Sequence, residues 1–132
     1  MMNAPTALLA FSVVMLLVHI FLQAFFATKE LGMRWNASAR DTNERTTTLF
    51  AGRAERASAN FRETYPAFLA LMLLAEFQPV DVMLTVAGGT IWAIARVIYL
   101  PLYMFGVPYI RSLVWLVSIA GLAIMLLAAF WR

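Results

Sequence analysis

The chain has 132 residues, of which 63% are hydrophobic and only 13% are charged, whereas soluble proteins average about 25% charged residues. This balance predicts a single domain, residues 1–132, with lipid as its main solvent. The chain has no cysteine, which excludes disulfides, thiolate ligands and a cysteine nucleophile. Its single histidine, His19, cannot build a zinc site without nearby carboxylates, and the first predicted helix has none. The net charge is +3, and no nucleic-acid partner is predicted.

The first predicted element is a transmembrane helix over residues 5–28, which contain no charged side chain. A secretory signal peptide is the alternative; it is disfavoured because the N-terminus lacks a basic residue and the apolar run is too long. His19 and Gln23 lie one turn apart in this helix and predict hydrogen bonds to other helices. Residues 29–50 are polar and predict a solvated loop.

The second predicted helix, residues 51–77, begins with a polar stretch and continues as an apolar one. Four polar residues of this stretch fall within an arc of roughly 80° on a helix and form one stripe. The stripe consists of Arg53, Arg56, Asn60 and Glu63. Arg62 points to the opposite side, where an arginine commonly reaches lipid headgroups.

The third predicted helix covers residues 81–103. Gly88 and Gly89 within it indicate close packing between helices rather than a phosphate-binding loop. Further along, a second set of polar residues repeats at spacings of three and four, which places them on one helical face. This set consists of Arg96, Tyr99 and Tyr103.

A tight turn at residues 106–108 then leads to the fourth predicted helix, residues 109–131. This helix begins with Arg111 and Ser112. Four spans place both termini on one side of the membrane and the 29–50 loop on the other. Of the ten basic residues only Arg132 lies on the terminus side, so the positive-inside rule predicts a cytoplasmic loop.

Arg96 is the most unusual residue, because a charge at depth in an apolar helix costs about 2.5–3.5 kcal/mol on insertion scales. Such a residue normally has a partner inside the bundle, and Glu63 is the natural candidate. The sequence is compatible both with a structural Arg96–Glu63 ion pair and with a ligand site. Tyr99 and Tyr103 share the face of Arg96, which favours an inward role over one at the membrane interface.

Together these polar residues suit a small zwitterionic ligand with several carboxylates. Arginines bind carboxylates, often through two parallel hydrogen bonds, and Glu63 can pair with an ammonium group. The sequence contains no Ser-His-Asp triad and no phosphate loop, so the reactive group would belong to the ligand.

The combined pattern resembles the membrane-associated proteins in eicosanoid and glutathione metabolism, the MAPEG family. The residues that carry the resemblance are Arg53-x-x-Arg56-Ala57-x-x-Asn60-x-x-Glu63-x-x-Pro66, then Arg96-x-x-Tyr99-x-x-x-Tyr103, then Arg111-Ser112. The resemblance covers essentially the whole chain and implies an all-α integral membrane protein, a four-transmembrane-helix bundle that assembles as a homotrimer. It further implies multi-pass insertion in a bacterial inner membrane.

The resemblance also implies roles for the residues. Glutathione, as co-substrate, would be bound by Arg53, Arg56, Asn60, Glu63, Arg96, Tyr99 and Tyr103. Arg111 would stabilise the glutathione thiolate, and Ser112 is the alternative thiol activator. A basic residue at the end of the first helix would join the site, and the spacing leaves Lys29 and Arg34 both open.

The implied activity is that of a glutathione transferase or glutathione-dependent peroxidase acting on a lipophilic electrophile or hydroperoxide. Tyr99 and Ala59 differ from the prostaglandin synthases of the family, which disfavours that activity. The alternative is a non-catalytic scaffold that binds lipid or a neighbouring subunit. A small four-span exporter is a third class, but the first helix lacks the deep acidic residue that such proteins need.

Overall fold

The computed structural model describes residues 3–41 and 44–130, which form four consecutive α-helices. The helices are α1 (Ala4–Ala37), α2 (Leu49–Phe77), α3 (Val82–Phe105) and α4 (Ile110–Phe130). No strand occurs in the described residues, and the predicted all-α fold is confirmed. By length and composition, α1, α3 and α4 could each cross a membrane.

The central pair of the bundle is α2 and α3, each of which contacts all three other helices. Within the described ranges, α1 and α4 do not contact each other. The polar first half of α2 can occupy a central position because its buried face is built mostly from small side chains. They are Ala51, Ala54, Ala57 and Ser58.

The first helix is longer than predicted. It continues past residue 28 to Ala37, with one non-helical residue, Gly32, at φ 88°. The Glu30 carboxylate in this extension accepts hydrogen bonds from the backbone N–H groups and hydroxyls of Thr47 and Thr48, at 3.0 Å for the Thr48 N–H. Because Thr48 is the N-cap residue of α2, these bonds connect the extension of α1 to the beginning of α2. The predicted 29–50 loop is correspondingly shorter.

An aromatic column fills the core between α1, α2 and α3. Phe68 of α2 stacks on Trp92 of α3 with ring centroids 3.9 Å apart, and His19 of α1 stacks on Phe61 of α2 at 4.3 Å. The His19 Nδ1 lies 2.8 Å from the carbonyl oxygen of Met15, within its own helix. The expectation that His19 makes a hydrogen bond between helices is therefore wrong: it joins α1 to α2 through ring stacking.

The α3–α4 interface depends on a close backbone approach. A Cβ atom on Gly88 would lie 2.6 Å from the carbonyl oxygen of Gly121, and one on Gly121 would lie 2.7 Å from that of Gly88. The interpretation of Gly88 as a packing residue is confirmed. The predicted turn after α3 is confirmed too, since Gly106 ends this helix in the left-handed region at φ 72°.

Candidate functional site

A cleft opens among α2, α3 and α4 next to the α3–α4 turn. Its volume is about 230 Å³. Five of its six lining residues belong to the set that the sequence predicts, and they come from three helices. The lining consists of Asn60, Tyr99, Tyr103, Arg111, Ser112 and Trp115.

The wall of the cleft on α3 is formed by Tyr99 and Tyr103, which lie one turn apart with ring centroids 5.5 Å from each other. Tyr99 is buried and Tyr103 is half-buried. Both therefore face the interior of the bundle at this level rather than the membrane interface. Their hydroxyl groups can act as donors or acceptors toward a molecule in the cleft.

Arg111 lies in the first turn of α4 with its guanidinium carbon 4.4 Å from the centre of the Tyr103 ring. This cation–π contact holds a half-buried positive charge at the edge of the cleft. Ser112 follows at the exposed rim, and Trp115 is one turn further along. The arrangement places a guanidinium and a hydroxyl where they can stabilise an anion.

Arg96 lies directly behind the cleft and is fully buried. Its Nη1 donates to Asn60 Oδ1 at 2.8 Å and its Nη2 donates to Thr64 Oγ1 at 2.5 Å. Glu63 receives neither bond, and its side chain is exposed. The ion pair between Arg96 and Glu63 that was one expectation is therefore not formed; two neutral oxygens of α2 take its place.

The guanidinium of Arg96 therefore has no direct ion-pair partner among the described residues, and its contacts are with neutral oxygens and ring faces. Its guanidinium carbon lies 5.4 Å from the Tyr99 ring centre and 5.9 Å from that of Trp92, and its Nε has no hydrogen-bond partner. Such a charge acts strongly on nearby groups because the apolar interior screens it poorly. An anion in the adjoining cleft would therefore be stabilised by Arg96 as well as by Arg111.

The predicted stripe on α2 divides into three parts in the structure. Asn60 lines the cleft, whereas Arg53 turns toward the end of α3 and donates from Nη1 to the carbonyl oxygen of Met104 at 2.9 Å. Arg56 and Glu63 are exposed on the surface of the bundle and do not line the cleft. The chain thus places only part of the predicted set around one cleft.

We expect the substitution Arg53→Gln to lower thermal stability. It removes a charge-assisted hydrogen bond to the last turn of α3, and such bonds contribute roughly 1.5–3 kcal/mol. The melting temperature in detergent micelles should fall by several degrees. The matched control is Arg56→Gln, which changes an exposed arginine one turn away and should leave the melting temperature unchanged. Equal melting temperatures for the two variants would contradict this role of Arg53.

Two residues of the site were missed by sequence reasoning. Thr64 lies four residues after Asn60 and Trp115 lies four residues after Arg111, so helical spacing could have identified both. Thr64 was overlooked because Glu63 offered an opposite charge to Arg96. Trp115 was overlooked because it resembles the other apolar side chains of a membrane helix.

A larger cavity of about 530 Å³ lies elsewhere, between α1 and α2 near the loop. Its charged lining is Glu44, Arg45 and Glu55, so it lacks the convergent arginine and tyrosines of the cleft. Lys29 and Arg34 of α1 are exposed and line neither space. No group of histidine, aspartate and glutamate among the described residues could hold a metal ion.

In a comparison with protein families, the model of the MAPEG family matches residues 8–131. The match extends over all four helices and includes every residue of the cleft. Comparisons with curated proteins and with solved structures gave no match.

Proposed function

Because the chain belongs to the MAPEG family, an integral membrane helical bundle, we propose that it binds glutathione and activates its thiol. The observation that carries the proposal is the cleft in which Asn60 of α2, Tyr103 of α3 and Arg111 of α4 converge. Membership supports a function of the glutathione-transferase type or a related one.

The chemistry that Arg111 can supply is stabilisation of a thiolate. A cation beside a thiol lowers the thiol's pKa, and the thiolate is the nucleophilic form. The thiol proton leaves to solvent, and the sulfur attacks an electrophilic carbon, forming a carbon–sulfur bond while the leaving group departs with its electron pair. With a hydroperoxide, the thiolate sulfur attacks the terminal oxygen and becomes a sulfenic acid, while the alkoxide departs and takes a proton from water to give the alcohol. A second glutathione thiol then attacks the sulfenic sulfur, which forms the disulfide and releases water. The Ser112 hydroxyl, at the rim, can donate a hydrogen bond to the thiolate.

The second substrate would be lipophilic and would reach the site from the membrane. The described helices present many exposed apolar side chains along α3 and α4, among them Ile94, Val97 and Leu113. Such a surface accepts lipid or a hydrophobic molecule without selecting one. We therefore propose that the second substrate is a lipophilic electrophile or a lipophilic hydroperoxide.

The site is proposed to be completed by a neighbouring copy in a homotrimer. At about 230 Å³ the cleft is smaller than the roughly 300–1,000 Å³ of typical ligand pockets. Arg56 and Glu63 are exposed on a helix that lies in a membrane bundle, where charged groups normally have partners. In this proposal the ligand spans from the cleft to these two residues, and Lys29 or Arg34 of the neighbouring copy completes the site. The loop is proposed to be cytoplasmic, in a bacterial inner membrane.

Calorimetric titration of the purified protein with glutathione tests the proposal. We expect saturable heat for the wild type, and at least tenfold weaker binding for Arg56→Gln because a charge-assisted hydrogen bond to a carboxylate is lost. Arg62→Gln is the control, since Arg62 lies on the other side of α2 and its Nε donates to the Ser58 carbonyl oxygen of its own helix. If the wild-type protein gives no heat of binding up to millimolar glutathione, this result would contradict the proposed enzymatic function and favour a non-catalytic scaffold.

A further inference from the structure

The fixed orientation of one amide decides what the cleft can bind. Asn60 has an oxygen that only accepts hydrogen bonds and a nitrogen that only donates them. Its Oδ1 accepts from Arg96 Nη1 at 2.8 Å. Because a guanidinium carries donors and no acceptor, the amide cannot be turned over without placing two donors against each other. The orientation of the Asn60 amide therefore follows from Arg96.

Arg96 is itself held in place by a second bond to α2. Its Nη2 donates to Thr64 Oγ1, and the Thr64 hydroxyl donates in turn to the carbonyl oxygen of Phe61 at 3.4 Å. Asn60 and Thr64 are one helical turn apart, so both guanidinium nitrogens bind the same face of α2. Full burial of Arg96 leaves it no alternative partner in water. These two hydrogen bonds fix the position of the guanidinium, and the guanidinium fixes the orientation of the Asn60 amide.

The nitrogen of the Asn60 amide is not used by the bond to Arg96. Asn60 is half-buried and lines the cleft, while Arg96 does not. Nothing among the described residues accepts a hydrogen bond from the Asn60 amide nitrogen. With the oxygen bound to Arg96, the NH₂ group is the part of this side chain left for a molecule in the cleft.

We infer that Arg96 is a positioning residue that sets the Asn60 amide to donate into the cleft, so this position takes an oxyanion, such as a carboxylate of the ligand. An ammonium group is disfavoured here, because it would meet the N–H donors of the Asn60 amide and the positive charge of Arg96. The inference rests on the proposed function for the identity of the ligand, but not for the direction of the amide.

The first test is the variant Asn60→Asp, which keeps the size of the side chain and its bond to Arg96. Its second oxygen, however, presents a negative acceptor to the cleft. Like charges in contact cost several kcal/mol, so binding of a carboxylate should weaken at least tenfold. Asn36→Asp is the matched control: Asn36 Oδ1 likewise accepts from an arginine, Arg40, at 2.6 Å, but Asn36 is exposed and does not line the cleft.

The second test observes the amide directly by nuclear magnetic resonance of protein with ¹⁵N-labelled asparagine, in which Asn60→Ser identifies the Asn60 NH₂ signals. Both glutathione and glutarate, a plain dicarboxylate, are titrated. In wild type the NH₂ proton signals should move downfield as the carboxylate binds. In Arg96→Met the free amide can turn, and the movement should be lost, whereas Arg96→Lys, which retains a donor, should restore part of it.

The outcomes separate the two proposals. Absence of glutathione binding alongside a glutarate-induced shift of the Asn60 NH₂ signals overturns the proposed function and supports the inference. Unchanged carboxylate affinity in Asn60→Asp, or the same NH₂ shift in Arg96→Met as in wild type, overturns the inference. If Arg96→Met does not fold, the comparison of Asn60→Asp with Asn36→Asp still decides.

Discussion

Replacement of Arg111 by alanine is expected to lower the rate of glutathione addition about 10- to 100-fold at pH 6.5. A free thiol has a pKa near 8.5, and a neighbouring cation lowers it by about one to two units at many sites. Below the lowered pKa, each unit corresponds to a tenfold change in the thiolate fraction. The measurement is the rate of reaction with a chromogenic electrophile between pH 5.5 and 9.

The pH profile distinguishes thiolate stabilisation from simple ligand binding. In wild type the rate should level off near neutral pH, and in Arg111→Ala it should continue to rise toward pH 9, so that the two rates converge. Arg62→Ala, which removes an exposed arginine on α2, should leave the profile unchanged. A uniform loss for Arg111→Ala at every pH would assign Arg111 to binding instead, and the Ser112 hydroxyl would become the remaining thiol activator.

The variant Gly88→Ala is expected to lower the melting temperature by about 5–15 °C. The added Cβ would lie 2.6 Å from the carbonyl oxygen of Gly121, a backbone atom that cannot rotate away, so α3 and α4 must separate. Overpacking of this kind costs about 1–3 kcal/mol, and the loss of close contact along the interface adds to it. Thermal unfolding of the detergent-solubilised protein, followed by circular dichroism, measures the change.

Gly52→Ala is the matched control for this prediction. A Cβ there would meet only the far end of the Arg56 side chain, at 3.2 Å, which can move aside. Alanine also favours a helix interior relative to glycine by roughly 0.5–1 kcal/mol. We therefore expect an unchanged or higher melting temperature for Gly52→Ala. A similar loss in both variants would mean that the α3–α4 crossing does not set the stability of the bundle.

The two predictions are connected through the α3–α4 pair. The cleft takes its tyrosines from α3 and its guanidinium from α4, so the distance between these helices sets the position of Arg111 over Tyr103. The close contact between Gly88 and Gly121 lies further from the α3–α4 turn than the cleft does, and it holds these two helices together. Gly88→Ala should accordingly reduce the rate of glutathione addition as well as stability, which ties the site to the fold.

The sequence by itself determined the class of the protein. Uncharged segments of membrane-spanning length predict helices in lipid because unsatisfied backbone groups are costly there. The number of helices, the turn after α3, the packing role of Gly88 and the family were all accessible in this way. These features depend on local composition or on spacing along one helix, and neither requires knowledge of how the helices are rotated against each other.

Only the tertiary structure decided which polar residues meet. Glu63 and Thr64 are neighbours in sequence, but one residue turns a helix by about 100°, so Thr64 faces Arg96 while Glu63 faces outward. The same rotation sends Arg53 to the end of α3 rather than into the cleft. Charge alone favours the pairing of Arg96 with Glu63. The packing of α2 against α3 instead gives Arg96 two neutral partners, and the rotation that sets those partners cannot be read from one helix alone.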